Sequence, residues 1–427
     1  MSSEPRVAYV CSPDLIRVSS LLPSNRNRSA LVHTLVSAYG LLKRANCILV
    51  KPGKASRRDL ERYHEAGYLD YALQPHRDDE TGKGNVTEFG LEDDCEVFPG
   101  LDEYIYTVAG ATLTATKAIQ STMFDVAICW DGGRHHAHKA HAAGFCYVAD
   151  CVLSILQLKR PGPGQKTRPK VAYLDLDLHH GDGVAEAFSS QSLEENQSED
   201  SMSQAENISS SNVLTLSIHH HAPGFYPHSP LGGLTKSTTT DPFSLSIPLN
   251  RGTSARTYVR IWSIVERVLG AFFRWDTDVE LEDAPKYLVV QCGVDGLAGD
   301  PYAVWNWDID VEKEGSLGWC VHRVMRWTGP RGDGLKIVFL GGGGYNSPNA
   351  ARAWAYVTSI IVGRTGQPLS INDDIPDHSG FLKYAPSFVL DVPAGNMQDD
   401  NIEKDLEQIE NNYNVLIERI QRAQSSQ

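Results

Sequence analysis

Short apolar, β-branched runs recur along the chain at Val7–Val10, Val126–Trp130, Val171–Asp177, Val213–His219, Tyr287–Gly293 and Lys336–Leu340. Between them lie longer segments, Ser29–Lys43, Tyr104–Gln120 and Thr257–Phe273, whose apolar positions recur at helical spacing. Strands alternating with helices over most of the length predict one large α/β domain, residues 1–427, with a mostly parallel sheet flanked by helices on both faces. Near the end, Ile402, Leu406, Ile409, Tyr413, Leu416 and Ile420 follow helical spacing and predict a docked helix over about residues 401–424. That pattern is too short to favour a coiled-coil partner. Ser189 to Asn212, SSQSLEENQSEDSMSQAENISSSN, is acidic, low in complexity and almost free of large apolar residues, which predicts a mobile surface insertion. Asp276–Asp283 reads as a shorter acidic spacer, and no internal repeat is evident.

In parallel α/β sheets ligands bind at the carboxyl ends of the strands. Here the strand candidates run directly into polar or glycine-rich loops: DGGRHHAH after Trp130, HHGDG after Leu178, HHHAPGFYP after Ile218, VDGLAGDP after Gly293 and GGGGYN after Leu340. The stretch VAYLDLDLHHGDGV, Val171–Val184, is the richest of them. In an extended strand Asp175, Asp177 and His179 point to one side while Leu174, Leu176 and Leu178 fill the other. Burying that many ionisable groups is costly unless a metal or a charged partner compensates.

Composition narrows the function further. A chain of 427 residues, 41% hydrophobic and 22% charged, suits a globular protein with a large core. Its net charge of -14 argues against direct nucleic-acid binding through phosphate neutralisation and fits a basic peptide or a small cation better. The eight cysteines include no C-x-x-C pair, so reduced thiols are expected rather than a zinc ribbon or a redox motif. The N-terminus has no signal-peptide hydrophobic region and no stretch is long and apolar enough for a membrane span, so a soluble protein of the nucleus and/or cytoplasm is expected. KASRRDLER, Lys54–Arg62, is poor evidence for nuclear import.

The loops carry what metal-assisted hydrolysis needs. Asp177 and His179, joined by Asp295 from a later strand end, make three protein ligands and leave a position open, the pattern of catalytic zinc sites. Two carboxylates and one imidazole also suit Fe2+ or Mn2+. His135 and His136 follow Gly132–Gly133 and can supply a base and a proton donor if carboxylates orient them; Asp175 and Asp182 are the carboxylates at hand. Tyr345 follows four glycines and can donate to an oxyanion. No Lys-Ser/Thr follows those glycines, so they are not a P-loop.

GGRHHA, GFCYVAD, YLDLDLHHGDGVAEAF, HAPGFYP, QCGVDGLAGDP and FLGGGGYN occur here in the order and approximate spacing of the zinc-dependent class I histone deacetylases, and the chain resembles them from about Arg6 to Pro386. The resemblance implies an arginase/deacetylase fold that hydrolyses Nε-acetyl-lysine of histone tails or other proteins. It implies Zn2+, with Fe2+ as the alternative, on Asp177, His179 and Asp295; His136 backed by Asp182 as proton shuttle; His135 paired with Asp175 as an electrostatic tuner; and Tyr345 polarising the acetyl carbonyl. It further implies a tunnel walled by Gly144, Phe145 and Tyr226, a rim acid Asp94 for the substrate backbone, and Arg28 near the acetate exit. A structural K+ would use Asp175, Asp177, His179 and Ser217, largely through backbone oxygens.

Several residues depart from the family pattern. Arg134 stands where a bulky apolar residue is common, Tyr226 replaces a phenylalanine, Tyr302 replaces a smaller apolar residue and Ala149 a frequent asparagine. LGGLTKSTTTDPFS takes the place of the Gly-Lys-Gly-x-Tyr-like segment, which argues against recruitment by inositol phosphate and corepressor. Two other enzyme readings stay open on these residues, an acetylpolyamine amidohydrolase and a two-manganese arginase-like ureohydrolase, which metal stoichiometry separates from a one-metal deacetylase. An inactive acetyl-lysine-binding scaffold is a third, although a pure binder has no need of Tyr345 and the paired histidines.

Overall fold

All six apolar runs form strands in the computed structural model, which describes residues 4–425 except 75–85, 163–166, 190–211, 240, 276–283, 329–333 and 364–366. The strands are β1 (Val7–Val10), β2 (Cys47–Val50), β3 (Val126–Cys129), β4 (Lys170–Asp175), β5 (Val213–His220), β6 (Ser244–Leu249), β7 (Lys286–Gln291) and β8 (Lys336–Leu340). They build one eight-stranded sheet in the order β2-β1-β3-β8-β7-β4-β5-β6. Every pairing is parallel.

Only β2 and β6 have no counterpart in the sequence pattern, and both lie at sheet edges. An edge strand is not buried on both faces, so it lacks the continuous apolar run of a central one. Ile48 and Leu49 of β2 are exposed, and β6 carries Pro248, a residue tolerated at a margin but not in the middle of a sheet.

Alternate strand residues feed two separate cores. Val7, Tyr9, Leu174, Leu288, Val290, Ile337 and Phe339 join one, together with the helices Ala255–Phe273, Leu317–Met325 and Ser347–Val362. Ala8, Val10, Tyr173, Val289, Val338 and Leu340 join the other, with the helices Leu101–Gln120 and Asp150–Leu158. The result is a three-layer arrangement in which both sheet faces are covered.

The terminal helix, Glu403–Ser425, lays Leu406, Ile409, Tyr413, Leu416 and Ile420 into the first core, while Ile402 just before it is exposed. Arg260 clamps it by pairing with Glu403 at 2.7 Å and with Glu410, and the Tyr413 hydroxyl donates to the Ser246 carbonyl at 3.0 Å. The acidic segments at 190–211 and 276–283 lie outside the described residues. No described helix is long and apolar enough to cross a membrane. All eight cysteines are buried and unpaired.

Candidate active site

The sheet register levels the four central strands at one rim. Asp175 lies opposite Gln291, Gln291 opposite Leu340, and Leu340 opposite Cys129. The loops leaving β3, β4, β7 and β8 therefore begin side by side. The strand expected to reach Asp177 ends at Asp175, and Asp177 and His179 sit in a bend beyond it. The alternation nevertheless persists: Leu176 and Leu178 bury themselves in the same core as Leu174, which turns the acids and His179 the other way.

The ligand atoms of Asp177, His179 and Asp295 lie within 4.8 Å of one another, and all three residues are buried. It is the one such grouping of His, Cys, Asp or Glu among the described residues. Each carboxylate has one oxygen committed to fixed donors. Asp177 Oδ2 accepts from Gln291 Nε2 and from the Gly343 amide, both at 2.8 Å, and Asp295 Oδ1 accepts from the Leu178 amide at 3.1 Å. The other oxygens, Asp177 Oδ1 and Asp295 Oδ2, face His179 Nδ1 at 3.5 and 2.9 Å. Two hard oxygens and one imidazole nitrogen, oriented from outside, fit a single divalent cation.

Glycine is needed around this cluster for space. A Cβ on Gly293 would stand 1.9 Å from Asp177 Oδ2, and one on Gly343 would stand 2.2 Å from Asp295 Oδ2. Neither glycine has a positive φ, so alanine would be strained only by the carboxylate it meets. Gly343→Ala is expected to lower the affinity of this cluster for a divalent metal by about 10- to 100-fold, as loss of support behind a metal ligand does. Metal titration of wild type and variant checks this; an unchanged metal affinity would show that the carboxylates can move aside freely.

The tandem histidines are each tethered by Nδ1, His135 to Asp175 Oδ2 at 2.9 Å and His136 to Asp182 Oδ1 at 2.7 Å. His135 Nε2 lies 3.8 Å from Asp177 Oδ1, so His135 spans the two acids of the β4 end. The two rings have opposite electrostatics. Burial depresses His135, but Asp175 and then Asp177 outweigh it and raise the ring to about 9. Burial also depresses His136, the charge on His135 adds to it, and Asp182 does not compensate, leaving His136 at about 4. His136 is thus neutral at pH 7, with Nδ1 donating to Asp182 and Nε2 free to take a proton.

The sequence pattern missed an extension of this shell. Asp182 Oδ2 lies 3.5 Å from His138 Nε2, and His138 Nδ1 lies 2.7 Å from Glu186 Oε2. Against burial, Asp182 and Glu186 raise His138 to about 9, above its unfolded value of about 6.5. A raised folded pKa contributes stability that is complete below the unfolded value and is lost as pH climbs through 9. Wild type should therefore melt above His138→Gln at about pH 6 and lose that lead by about pH 9.5. Melting curves across that window decide it, and a pH-independent gap would count against the linkage.

The entrance is aromatic. Gly144 and Phe145 occupy a tight turn between Ala143 and Cys146, with φ of 53° and 61°. Two-residue turns of this kind need positive φ at both centres. A Cβ on Gly144 would meet His136 Cδ2 at 2.5 Å and the Tyr226 hydroxyl at 2.8 Å, so glycine also clears the way to His136. The Phe145 ring lies 5.4 Å from Tyr345, Tyr302 lies 4.8 Å from Tyr345, and Tyr226 lies 5.0 Å from His136. Tyr226 and Tyr302 are 37% and 46% exposed, which marks them as the mouth. Asp94, also exposed, accepts from the Gly144 amide at 3.0 Å and so braces the turn.

Tyr345 is partly buried, and its backbone amide and that of Asn346 donate to Asp300 Oδ2 at 2.6 and 2.9 Å. Burial, then the charges of Asp295 and Asp177, push its phenol well above the usual value, so it keeps its proton. Arg28 is buried behind the same loop and donates from Nη1 to the carbonyls of Gly342 and Gly344 at 3.0 and 2.9 Å. Ser217 stands one strand over, in register with Asp175, with its hydroxyl 2.9 Å from His219 Nδ1. Gln291 and Asp300 escaped the sequence pattern, although both lie inside the quoted QCGVDGLAGDP motif.

Comparison with known proteins agrees with this geometry. A family model described as "Histone deacetylase domain" matches residues 22–361. The chain is 34% identical to histone deacetylase 8 of Danio rerio over 406 residues, covering 94% of this chain and 93% of that protein. It is 34% identical to histone deacetylase 8 of Xenopus tropicalis over 407 residues, covering 94% and 95%. A wholly parallel α/β sheet, a buried Asp-His-Asp cluster at its carboxyl rim and relatives matched along nearly their whole length establish that this chain belongs to the histone deacetylase family and is a hydrolytic lysine deacetylase.

Proposed function

We propose that the chain removes acetyl groups from Nε-acetyl-lysine in histones or other proteins, with zinc held by Asp177, His179 and Asp295. Such a metal, when bound, polarises the acyl carbonyl and makes water a better nucleophile. The carrying observation is that each tandem histidine is tethered through Nδ1 to its own buried carboxylate beside the Asp177, His179 and Asp295 cluster. His136, neutral and tethered through Nδ1 to Asp182, accepts the proton of the attacking water on Nε2 and delivers it to the leaving lysine nitrogen. His135, tied through Nδ1 to Asp175, stands beside it, and that carboxylate favours the protonated ring. Tyr345 donates its phenolic proton toward the oxygen that becomes negative as the carbonyl is attacked. Gly144, Phe145 and Tyr226 wall the lysine methylenes, Asp94 holds the substrate backbone at the rim, and Arg28 stands at the acetate exit.

Activity on a panel of acetyl-lysine peptides and acetylpolyamines, with chelator and with restored zinc or Fe2+, tests this reading. Peptide deacetylation that chelator removes and zinc restores is expected, and His136→Ala should lose most of it. Zinc-loaded protein that cleaves no acetyl-lysine peptide, or His136→Ala equal to wild type, would overturn it.

The opposed pairing of Asp175 and Ser217 supports a structural K+ beside the β4 end, held mainly by backbone oxygens of Asp175, Asp177, His179 and Ser217. Melting should then be higher in KCl than in choline chloride at equal ionic strength; identical curves would remove the ion from the scheme. The acidic chain fits basic peptide substrates of the nucleus and/or cytoplasm. Fractionation of cells expressing the full chain tests the compartment, and recovery solely in membranes would oppose it.

A further inference from the structure

One carboxylate serves two histidines. Asp182 Oδ1 holds His136 Nδ1 at 2.7 Å, and Asp182 Oδ2 faces His138 Nε2 at 3.5 Å. The second nitrogen of His138, Nδ1, meets Glu186 Oε2 at 2.7 Å. A neutral imidazole carries one N–H and one lone pair, whereas the imidazolium carries two N–H donors. Both nitrogens of His138 face carboxylate oxygens, which offer only lone pairs, so the position is shaped for the imidazolium. The His138 ring is buried, whereas the Glu186 side chain is 42% exposed. The row His136, Asp182, His138, Glu186 thus runs from the reacting centre to the surface.

The local fold makes this sharing unavoidable. Asp182 and Glu186 stand four residues apart on the helix Asp182–Phe188 and so lie on one face of it. The start of that helix rests directly on the backbone of the tandem histidines: a Cβ on Gly183 would stand 2.5 Å from the Ala137 carbonyl oxygen and 2.8 Å from that of His135. At that closeness His136 and His138, two residues apart, reach opposite oxygens of the same carboxylate.

The other titratable groups around His138 do not compete for this role. His141 stacks on it at 4.3 Å, and burial, then the charge of His138, lower the His141 ring. His64 Nδ1 lies 3.3 Å from the Lys139 carbonyl, and burial holds that ring at about 4. Tyr63, raised by burial and then by Glu186 and Asp182, keeps its proton, and the Lys139 ammonium pairs instead with Glu65 at 3.7 Å. His138 is the cation that these neighbours leave facing Asp182.

A carboxylate raises the proton affinity of the imidazole it holds, and a cation on its far oxygen cancels part of that pull. A base that takes a proton from water must itself be unprotonated at the working pH. We propose that His138 is a positioning residue of the reaction: its charge, acting through Asp182, keeps His136 neutral and ready for a proton, and so sets the acid limit of deacetylation. This rests on the reading of His136 as the base. The values of about 9 for His138 and about 4 for His136 agree with it.

The test follows kcat/KM for one acetyl-lysine peptide across the acid and neutral pH range, with zinc-loaded full-length wild type, His138→Gln, His138→Lys and His141→Gln. Zinc is measured in every sample and rates are taken per bound zinc, so the charge of the metal is common to all. Without the His138 cation, His136 holds a proton more tightly and stays protonated to higher pH. The acid limb of His138→Gln should therefore move upward by as much as about one unit, up to about tenfold in kcat/KM at a pH below both limbs. His138→Lys restores the charge and should return the limb to its wild-type place, which a purely structural role would not do. His138→Ser is the second neutral variant if the amide does not fold. Coincident limbs in wild type and His138→Gln overturn the inference. So does a limb displaced equally in His138→Lys, or displaced as far in His141→Gln, since the charge would then not be that of His138. Wild type without any deacetylation is a different failure, that of the underlying reading.

Discussion

Asp295→Asn is expected to strip the enzyme of zinc and of nearly all deacetylation while leaving the fold in place. The substitution keeps the shape of the side chain and removes the charge from Oδ2, the oxygen 2.9 Å from His179 Nδ1. Asparagine can still accept the Leu178 amide through the oxygen equivalent to Oδ1, so the β7 loop keeps its anchor. What it cannot do is present a second anionic oxygen to a divalent cation, and two ligands from one short bend hold such an ion poorly. The loss of affinity should exceed the roughly 10- to 100-fold typical of an outer-shell change, with kcat/KM falling at least as far. Zinc content measured on the purified protein, alongside circular dichroism and peptide deacetylation, checks all three parts. A variant that retained one zinc per chain and wild-type turnover would remove Asp295 from the ligand set.

The parts of this site differ in how plainly the sequence displays them, and the reason is whether a role is set locally. Asp175, Asp177 and His179 were legible because alternation along a single strand dictates their side, and that alternation outlasts the strand itself by several residues. Central strands were legible because both faces are buried; β2 and β6 were not, because edge strands carry polar, proline or exposed positions. Gln291 is different. It reads as an ordinary strand end, and only the pairing of β7 with β4 brings its amide to Asp177 Oδ2. His138 likewise follows the tandem histidines with no local mark of function, and its tie to Asp182 depends on how the helix Asp182–Phe188 starts against the β3 loop. Contacts of that kind are properties of the assembled rim, which no single stretch of sequence contains.

Tyr345→Phe isolates the remaining element of the chemistry, the donor to the developing oxyanion. Its backbone is fixed from outside by Asp300, which accepts both the Tyr345 and Asn346 amides, and its ring is bracketed by Phe145 and Tyr302. None of these contacts uses the hydroxyl, so phenylalanine should occupy the same place with the same aromatic neighbours. Because burial and the charges of Asp295 and Asp177 keep the phenol protonated, wild type holds a neutral donor in position before the substrate arrives. Preorganised donors act mainly on the transition state, and removal of one lowers kcat by about 100- to 1000-fold. Substrate binding through the entrance rings is untouched, so KM should stay within about threefold and zinc content should equal wild type. Steady-state kinetics on a single acetyl-lysine peptide, with metal analysis of the same preparation, separates this outcome from simple loss of the site. If kcat fell by less than about threefold, the negative charge on the carbonyl oxygen would have to be met by other groups, and the Asp300-held loop would be serving the shape of the tunnel rather than its chemistry.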